Sequence, residues 1–182
     1  MALAVAALVG GCDLRQAMYD QEKVEPLEAS AFFTDGRSAR DPVPGTVARG
    51  QLRLDSGLYT GKVNGAYLTV SPVAVDHALL ERGRERYEIY CSPCHDRTGR
   101  GNGMVVQRGF KQPPSYHDER LREVPIGYLY DVITNGFGAM YGYASRLAVP
   151  DRWAVAGYVR ALQFSQRAEL EGLPDQDQRP FR

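Results

Sequence analysis

Residues 91–95 read CSPCH, and the fold turns on how that pentapeptide is understood. Two thiols three positions apart, with a histidine directly after the second, are the pattern of c-type haem attachment. Both cysteines become thioethers on the porphyrin and the imidazole binds iron. A CxxC can also be a redox pair or half of a zinc site. Zinc needs further donors, however, and the chain has only three cysteines, with no second pair. No thioredoxin-like βαβ pattern surrounds the motif either. The expected cofactor is therefore one covalent haem c on Cys91 and Cys94, with His95 as the proximal iron ligand.

Outward from the motif, the pattern is helical. DHALLERGRERYEIY, residues 76–90, places Leu79, Leu80, Gly83, Tyr87 and Tyr90 at helical spacing and runs straight into Cys91. IGYLYDVITNGFG, residues 126–138, predicts a second helix stopped by Asn135, Gly136 and Gly138. PDRWAVAGYVRALQFSQ, residues 150–166, predicts a third, with Trp153, Val155, Ala156, Val159 and Leu162 as its apolar stripe. The expectation is an all-α domain over residues 75–168, followed by a polar tail, residues 169–182.

The second iron ligand is sought among His77, His117, Met104 and Met140. Met104 follows His95 too closely, in the glycine-rich DRTGRGNGM, to pass round the macrocycle edge. His77 begins the helix before the motif and reads as a surface or capping residue. His117 follows QPPSY and reads as a proximal-side or surface histidine, with a bis-histidine iron as the alternative it offers. Met140 lies in GFGAMYGYA, where flanking glycines let the backbone approach a flat ligand. Met140 is the expected ligand.

Residues 13–73 carry many breakers, DPVPG at 41–45 and GKVNG at 61–65 among them. They predict an extended arm, residues 12–74 in all, rather than a domain. LYTG and AYLTV are expected to pair as a hairpin across VNG. Phe32, Phe33, Leu52, Leu58, Tyr59 and Tyr67 suit an arm that docks on other protein. Ahead of it, ALAVAALVGGC, residues 2–12, resembles the lipobox of a bacterial lipoprotein signal. An apolar run of that length is short of the roughly 20 residues needed to span a bilayer. The expectation is a signal peptide, residues 1–11, with Cys12 bearing a lipid at the periplasmic face of the inner membrane, since covalent haem attachment also calls for an exported protein.

The composition excludes little else. With 22 basic and 22 acidic residues the formal charge is zero, so no broad field draws the chain to nucleic acid.

The order of helix, CxxCH, glycine-rich loop, proline pair, helix, Met loop and final helix resembles a class I cytochrome c over about residues 76–166. Gly83-x-x-x-Tyr87-x-x-x-Cys91 has that family's first-helix spacing, and Tyr158 with Val155 is similar to its opposing helix. The resemblance implies that Pro114, or Pro113, offers a carbonyl to the Nδ1–H of His95. A further resemblance covers nearly the whole chain: EPLEASAFFTDGRSARDPVPGTVARGQLR, RGRERYEIYCSPCHDRTGRGNGMVVQRGF and DVITNGFGAM are similar to the monohaem cytochrome c lipoprotein subunit of bacterial alternative complex III. It implies an electron-transfer subunit, not itself an enzyme, of a membrane quinol-oxidising complex. The arm would lie on neighbouring subunits, and electrons would leave to a periplasmic cytochrome c carrier or a terminal oxidase. The readings set against it are a freestanding membrane-tethered shuttle, an oxidase-associated cytochrome, and a haem enzyme or gas sensor.

Overall fold

The computed structural model describes residue 19 and residues 21–169. Cys12, the expected signal peptide and nearly all of the expected polar tail lie outside the described residues. The chain divides into two compact units, parting between Leu52 and Arg53.

Among its described residues the first unit consists of turns and bends, with a single isolated bridge between Ala29 and Arg37. Ser30 N–H donates to the Gly36 carbonyl at 2.9 Å and Ser38 N–H to the Glu28 carbonyl at 3.2 Å, which closes a small loop. Arg40 clasps the Asp35 carboxylate at 2.7 Å and lies 4.3 Å above the Phe33 ring. This stretch of the expected arm is therefore locally tied rather than simply extended. Phe32, Leu27 and Val43 stay exposed, Phe32 by 87%.

The second unit starts with helix α1 (Ser56–Thr60) and a two-residue hairpin, β1 (Lys62–Val63) and β2 (Ala66–Tyr67). Helix α2 (His77–Tyr90) leads into a single turn, α3 (Ser92–His95). A 3₁₀ turn (Val106–Arg108), α4 (Glu119–Glu123) and α5 (Ile126–Asn135) follow. A second hairpin, β3 (Gly136–Phe137) and β4 (Met140–Tyr141), then leads to α6 (Val149–Ser165). Among the described residues of this unit, the regular elements other than its two hairpins are helices. No helix among the described residues is long and apolar enough to cross a membrane.

Each main helix begins where the sequence supplies a start signal. Asp76 caps α2, its side chain accepting from Leu79 N–H at 2.8 Å. Pro125 precedes α5, and Pro150 occupies the first turn of α6. Helices α2 and α6 cross at Gly83, where a β-carbon would overlap the Ala154 carbonyl and come within 2.9 Å of Tyr158 Cβ. Beneath that crossing Tyr87 is fully buried against Tyr158, ring centroids 5.3 Å apart. Tyr130 of α5 stacks on Trp153 of α6 at 4.2 Å, both fully buried, and burial of such rings contributes about 2 to 3 kcal/mol each. Buried Arg152 has no carboxylate partner. It donates to Thr134 Oγ1 at 2.7 Å and faces the Tyr130 ring at 5.1 Å.

Two expectations change here. The compact helical unit begins at Arg53, not Val75, because residues 53–73 are packed into it. Trp153 Nε1–H donates to the Leu58 carbonyl at 2.8 Å, and Gly127 N–H donates to the Leu68 carbonyl at 2.9 Å. Gly61 and Gly127 meet backbone to backbone. A hairpin forms across Asn64 and Gly65, but its first strand is Lys62–Val63, and the expected strand residues Leu58, Tyr59 and Thr60 are helical. Asp55 accepts from Leu58 N–H at 2.9 Å and starts that helix, and Gly61, at φ 71°, ends it.

The hairpin is pinned to α5 by Asp131, whose carboxylate accepts from Lys62 at 2.9 Å, Tyr67 at 2.8 Å and Asn135 at 2.6 Å. Burial would raise this carboxyl, but those three bonds outweigh it and hold it below the ordinary carboxylate value. The bonds therefore stabilise the fold fully at neutral pH, and the contribution fades as acid protonates Asp131 below about pH 4. Asp131→Asn should cost about 1 to 2 kcal/mol at pH 7 in urea denaturation. The gap to the unmutated protein should close as the pH falls to about 3; a gap independent of pH would refute the assignment.

Candidate haem site

Helix α2 delivers the motif. Cys91 ends it, its N–H donating to the Tyr87 carbonyl at 2.9 Å, and the chain turns once more through α3. Cys94 and His95 N–H groups both donate to the Cys91 carbonyl, at 3.2 and 2.9 Å. Pro93, in the first turn, lacks the N–H that would have no partner there. Positions i, i+3 and i+4 of one helical turn share a face, so both thiols and the imidazole are presented together. Among the described residues no group of three or more His, Cys, Asp and Glu side chains could hold a bare metal ion.

Burial governs the chemistry of these groups. It pushes the Cys91 thiol up to about 12, with Cys94 adding to the effect. It pushes His95 down to about 4 against the pull of Asp96, so the imidazole is neutral at pH 7 and keeps a lone pair for iron. His95 Nδ1 is buried and has no hydrogen-bond partner. The ring instead stacks on Tyr116, centroids 4.7 Å apart and planes 13° from parallel. Pro114 is exposed and forms no bond to that nitrogen. A neutral imidazole with an uncommitted ring nitrogen beside two free thiols is a donor set that fits a covalent haem c.

The segment after His95 folds back on the motif. Gly101 N–H donates to the His95 carbonyl, Gly103 N–H to that of Cys94 and Val105 N–H to that of Pro93, each at 3.0 Å. Met104 is thus held against the motif's own turn, with its side chain 58% exposed. His77 is exposed on the first turn of α2, near Glu81. His117 Nε2 lies 2.7 Å from the Thr98 carbonyl, and since a carbonyl only accepts, that nitrogen carries the proton and is not free to bind iron.

Met140 sits in the second hairpin, paired with Phe137 across a turn that contains Gly138 at φ 58°. The sequence pattern read a loop here. A hairpin forms because α5 ends at Gly136, at φ 84°, which turns the chain back sharply enough to pair. Met140 is half-buried, between exposed Phe137 and Tyr141. The chain then returns to the cysteines. Tyr143 N–H donates to the Ile133 carbonyl at 2.9 Å, and its ring meets Tyr90 at 6.2 Å. Burial and then the neighbouring Cys91 and Cys94 raise the Tyr143 hydroxyl.

Sequence reasoning missed Tyr116, Tyr143 and Asp96. The place of Tyr116 in the chain, directly after the proline pair and one serine, held nothing that pointed to His95. Tyr143 carried no signal either, because only the fold brings residue 143 to residues 90–94. Asp96 takes φ 57° and ψ 173°, and its carboxylate accepts from Thr98, Arg100 and Asn102 N–H groups. Burial, which would raise that carboxyl, is outweighed by those bonds and the Thr98 hydroxyl, so it stays ionised.

No curated protein matches the chain. A chain of the Kuenenia stuttgartiensis reducing HAO-like protein complex is 20% identical, with a TM-score of 0.45 over 59% of this chain and 54% of that one. The present chain thus spans about half the length of that neighbour. Residues 78–159 match the family described as Cytochrome C oxidase, cbb3-type, subunit III. Those residues run from the first turn of α2 into α6 and include the motif, Tyr116, Met140 and Tyr143. That match supports a class I cytochrome c domain over this stretch, which implies haem c and electron transfer.

Proposed function

We propose that the protein is a single-electron carrier, a monohaem subunit of a membrane quinol-oxidising assembly of the alternative complex III type. The observation that carries the electron-carrier reading is the presentation of Cys91, Cys94 and neutral His95 on one helical turn, with the Met140 hairpin returned to them through Tyr143. Haem c, when bound, supplies one reversible Fe(III)/Fe(II) electron. Cys91 and Cys94 would hold it through thioethers, His95 would supply one donor to its iron, and Met140 would supply the second. Among the other sulfur and imidazole donors, Met104 is tied to the turn of the motif itself, His117 is engaged through its Nε2–H with the Thr98 carbonyl, and His77 lies on the exposed first turn of α2. With both donors supplied by the chain, the group would serve to exchange electrons with its partners. The subunit moves electrons, and the assembly would be the quinol:acceptor oxidoreductase. Tyr87, Tyr116 and Tyr143 lie around Cys91, which is buried, and the low-dielectric surroundings they make would favour the less charged reduced state.

The assembly reading rests on the first unit and the chain ahead of it. Residues 19–52 leave Val24, Leu27, Phe32, Val43, Val47 and Leu52 exposed, more apolar surface than so small a unit covers for itself, which suits a segment that lies on other subunits. Cys12 would carry a lipid at the periplasmic face of the inner membrane, and electrons would pass on to a periplasmic cytochrome c or a terminal oxidase.

Cys91→Ala with Cys94→Ala should abolish covalent haem; haem that survives acid-acetone extraction of the double variant would overturn the site. Met140→Ala should keep haem attached, lower the reduction potential and admit CO to the reduced protein, whereas Met104→Ala should do neither. CO binding by the Met104 variant alone would reverse the ligand assignment. Deleting residues 26–50 should leave haem insertion intact, since the helical unit begins at Arg53, yet release the cytochrome from gently solubilised complexes. Quantitative retention of the shortened protein would show the segment to be a tether and favour a freestanding shuttle.

A further inference from the structure

We propose that Asp96 is a positioning residue for the proximal ligand: its carboxylate fixes the loop that seats Tyr116 against His95, and so sets the plane of the imidazole. This rests on the cytochrome reading above.

The backbone of Asp96, at φ 57° and ψ 173°, occupies a region populated almost only by glycine, so a side chain is present there despite the conformation. What the side chain contributes is visible. One carboxylate oxygen accepts from Thr98 N–H at 2.6 Å and the Thr98 hydroxyl at 2.7 Å. The other accepts from Arg100 N–H at 3.1 Å and Asn102 N–H at 3.0 Å. The residue's own carbonyl accepts from the buried Tyr87 hydroxyl at 2.7 Å. A strained residue persists only where its surroundings over-determine it, and here five bonds do so.

The loop so held reaches the imidazole by two routes. Gly101 N–H binds the His95 carbonyl at 3.0 Å and fixes the ligand's backbone. The Gly99 carbonyl accepts from Tyr116 N–H at 2.8 Å, and the Tyr116 ring lies so close to Gly99 that a β-carbon there would come within 2.6 Å of it. Tyr116 in turn stacks on His95. Since His95 Nδ1 has no hydrogen bond to orient it, this stack is the contact that fixes the ring, and Asp96 acts on the ring through it.

The test compares the full-length holoprotein with Asp96→Gly, which adopts the backbone without strain but lacks the carboxylate, and Asp96→Asn, which keeps one acceptor oxygen. Hydrogen exchange at the Thr98, Arg100 and Asn102 amides reads the loop, low-spin EPR g-values read the imidazole plane, and redox titration reads the potential. In the Gly variant haem should remain covalently attached, protection of the three amides should fall by about tenfold or more, and the g-values should broaden or move. The Asn variant should lie between the Gly variant and the unmutated protein. Unchanged g-values in the Gly variant would overturn the proposal, leaving Asp96 a local structural residue. Equal shifts in potential for Asn and Gly with unmoved g-values would also overturn it, reducing Asp96 to a nearby charge. Absence of covalent haem from the unmutated protein is a separate outcome, and would remove the cytochrome reading itself.

Discussion

The close approach of two helix backbones at Gly83 is the constraint on which the helical unit depends. A side chain at that position would have to occupy the space of the Ala154 carbonyl, so α2 and α6 would part. Held together, they bury Tyr87 between them, and the Tyr87 hydroxyl reaches the carbonyl of Asp96. The crossing thereby does more than pack a core. Since α2 ends at Cys91, its placement on α6 decides where the motif lies, and the Tyr87 bond holds the first residue beyond the proximal histidine.

Polar groups pin what apolar packing brings near. The segment of residues 53–68 is apolar enough to lie on α5 and α6, but its position comes from specific bonds: Trp153 to the Leu58 carbonyl, Gly127 to the Leu68 carbonyl, and the three donors converging on Asp131. Each satisfies a group that burial would otherwise leave without a partner. Arg160 acts in the same way near α4, donating to the carbonyls of Arg122 and Val124. The buried Arg152, with no carboxylate, is accommodated by a hydroxyl and an aromatic face, and burial lowers its proton affinity accordingly.

The His95 turn and the Met140 hairpin are held differently. At His95, α3 and the loop of residues 96–103 are tied by backbone bonds and by the Asp96 carboxylate. The Met140 hairpin, with exposed Phe137 and Tyr141, is tied back through Tyr143.

Much of this was legible in the residues themselves. Spacing in CSPCH puts three donors on one face of a turn wherever that turn is placed, and helical spacing around Gly83 and Trp153, with the stop at Asn135 and Gly136, foretold the three main helices within about three residues. Capping and stop residues such as Asp76, Pro125 and Gly136 act locally, so they too can be read in order along the chain. Local signals misled at Leu58, Tyr59 and Thr60, where an aromatic and a β-branched residue suggested a strand and the Asp55 cap made a helix. What no local signal carried were the contacts between distant positions: Trp153 with Leu58, Asp131 with Lys62 and Tyr67, Tyr143 with Tyr90, and Tyr116 with His95. Whether residues 53–73 belong to an arm or to the helical unit, and which aromatic ring faces the proximal imidazole, follow from burial shared among elements far apart in the chain. That is a property of the assembled fold, and only the tertiary structure decides it.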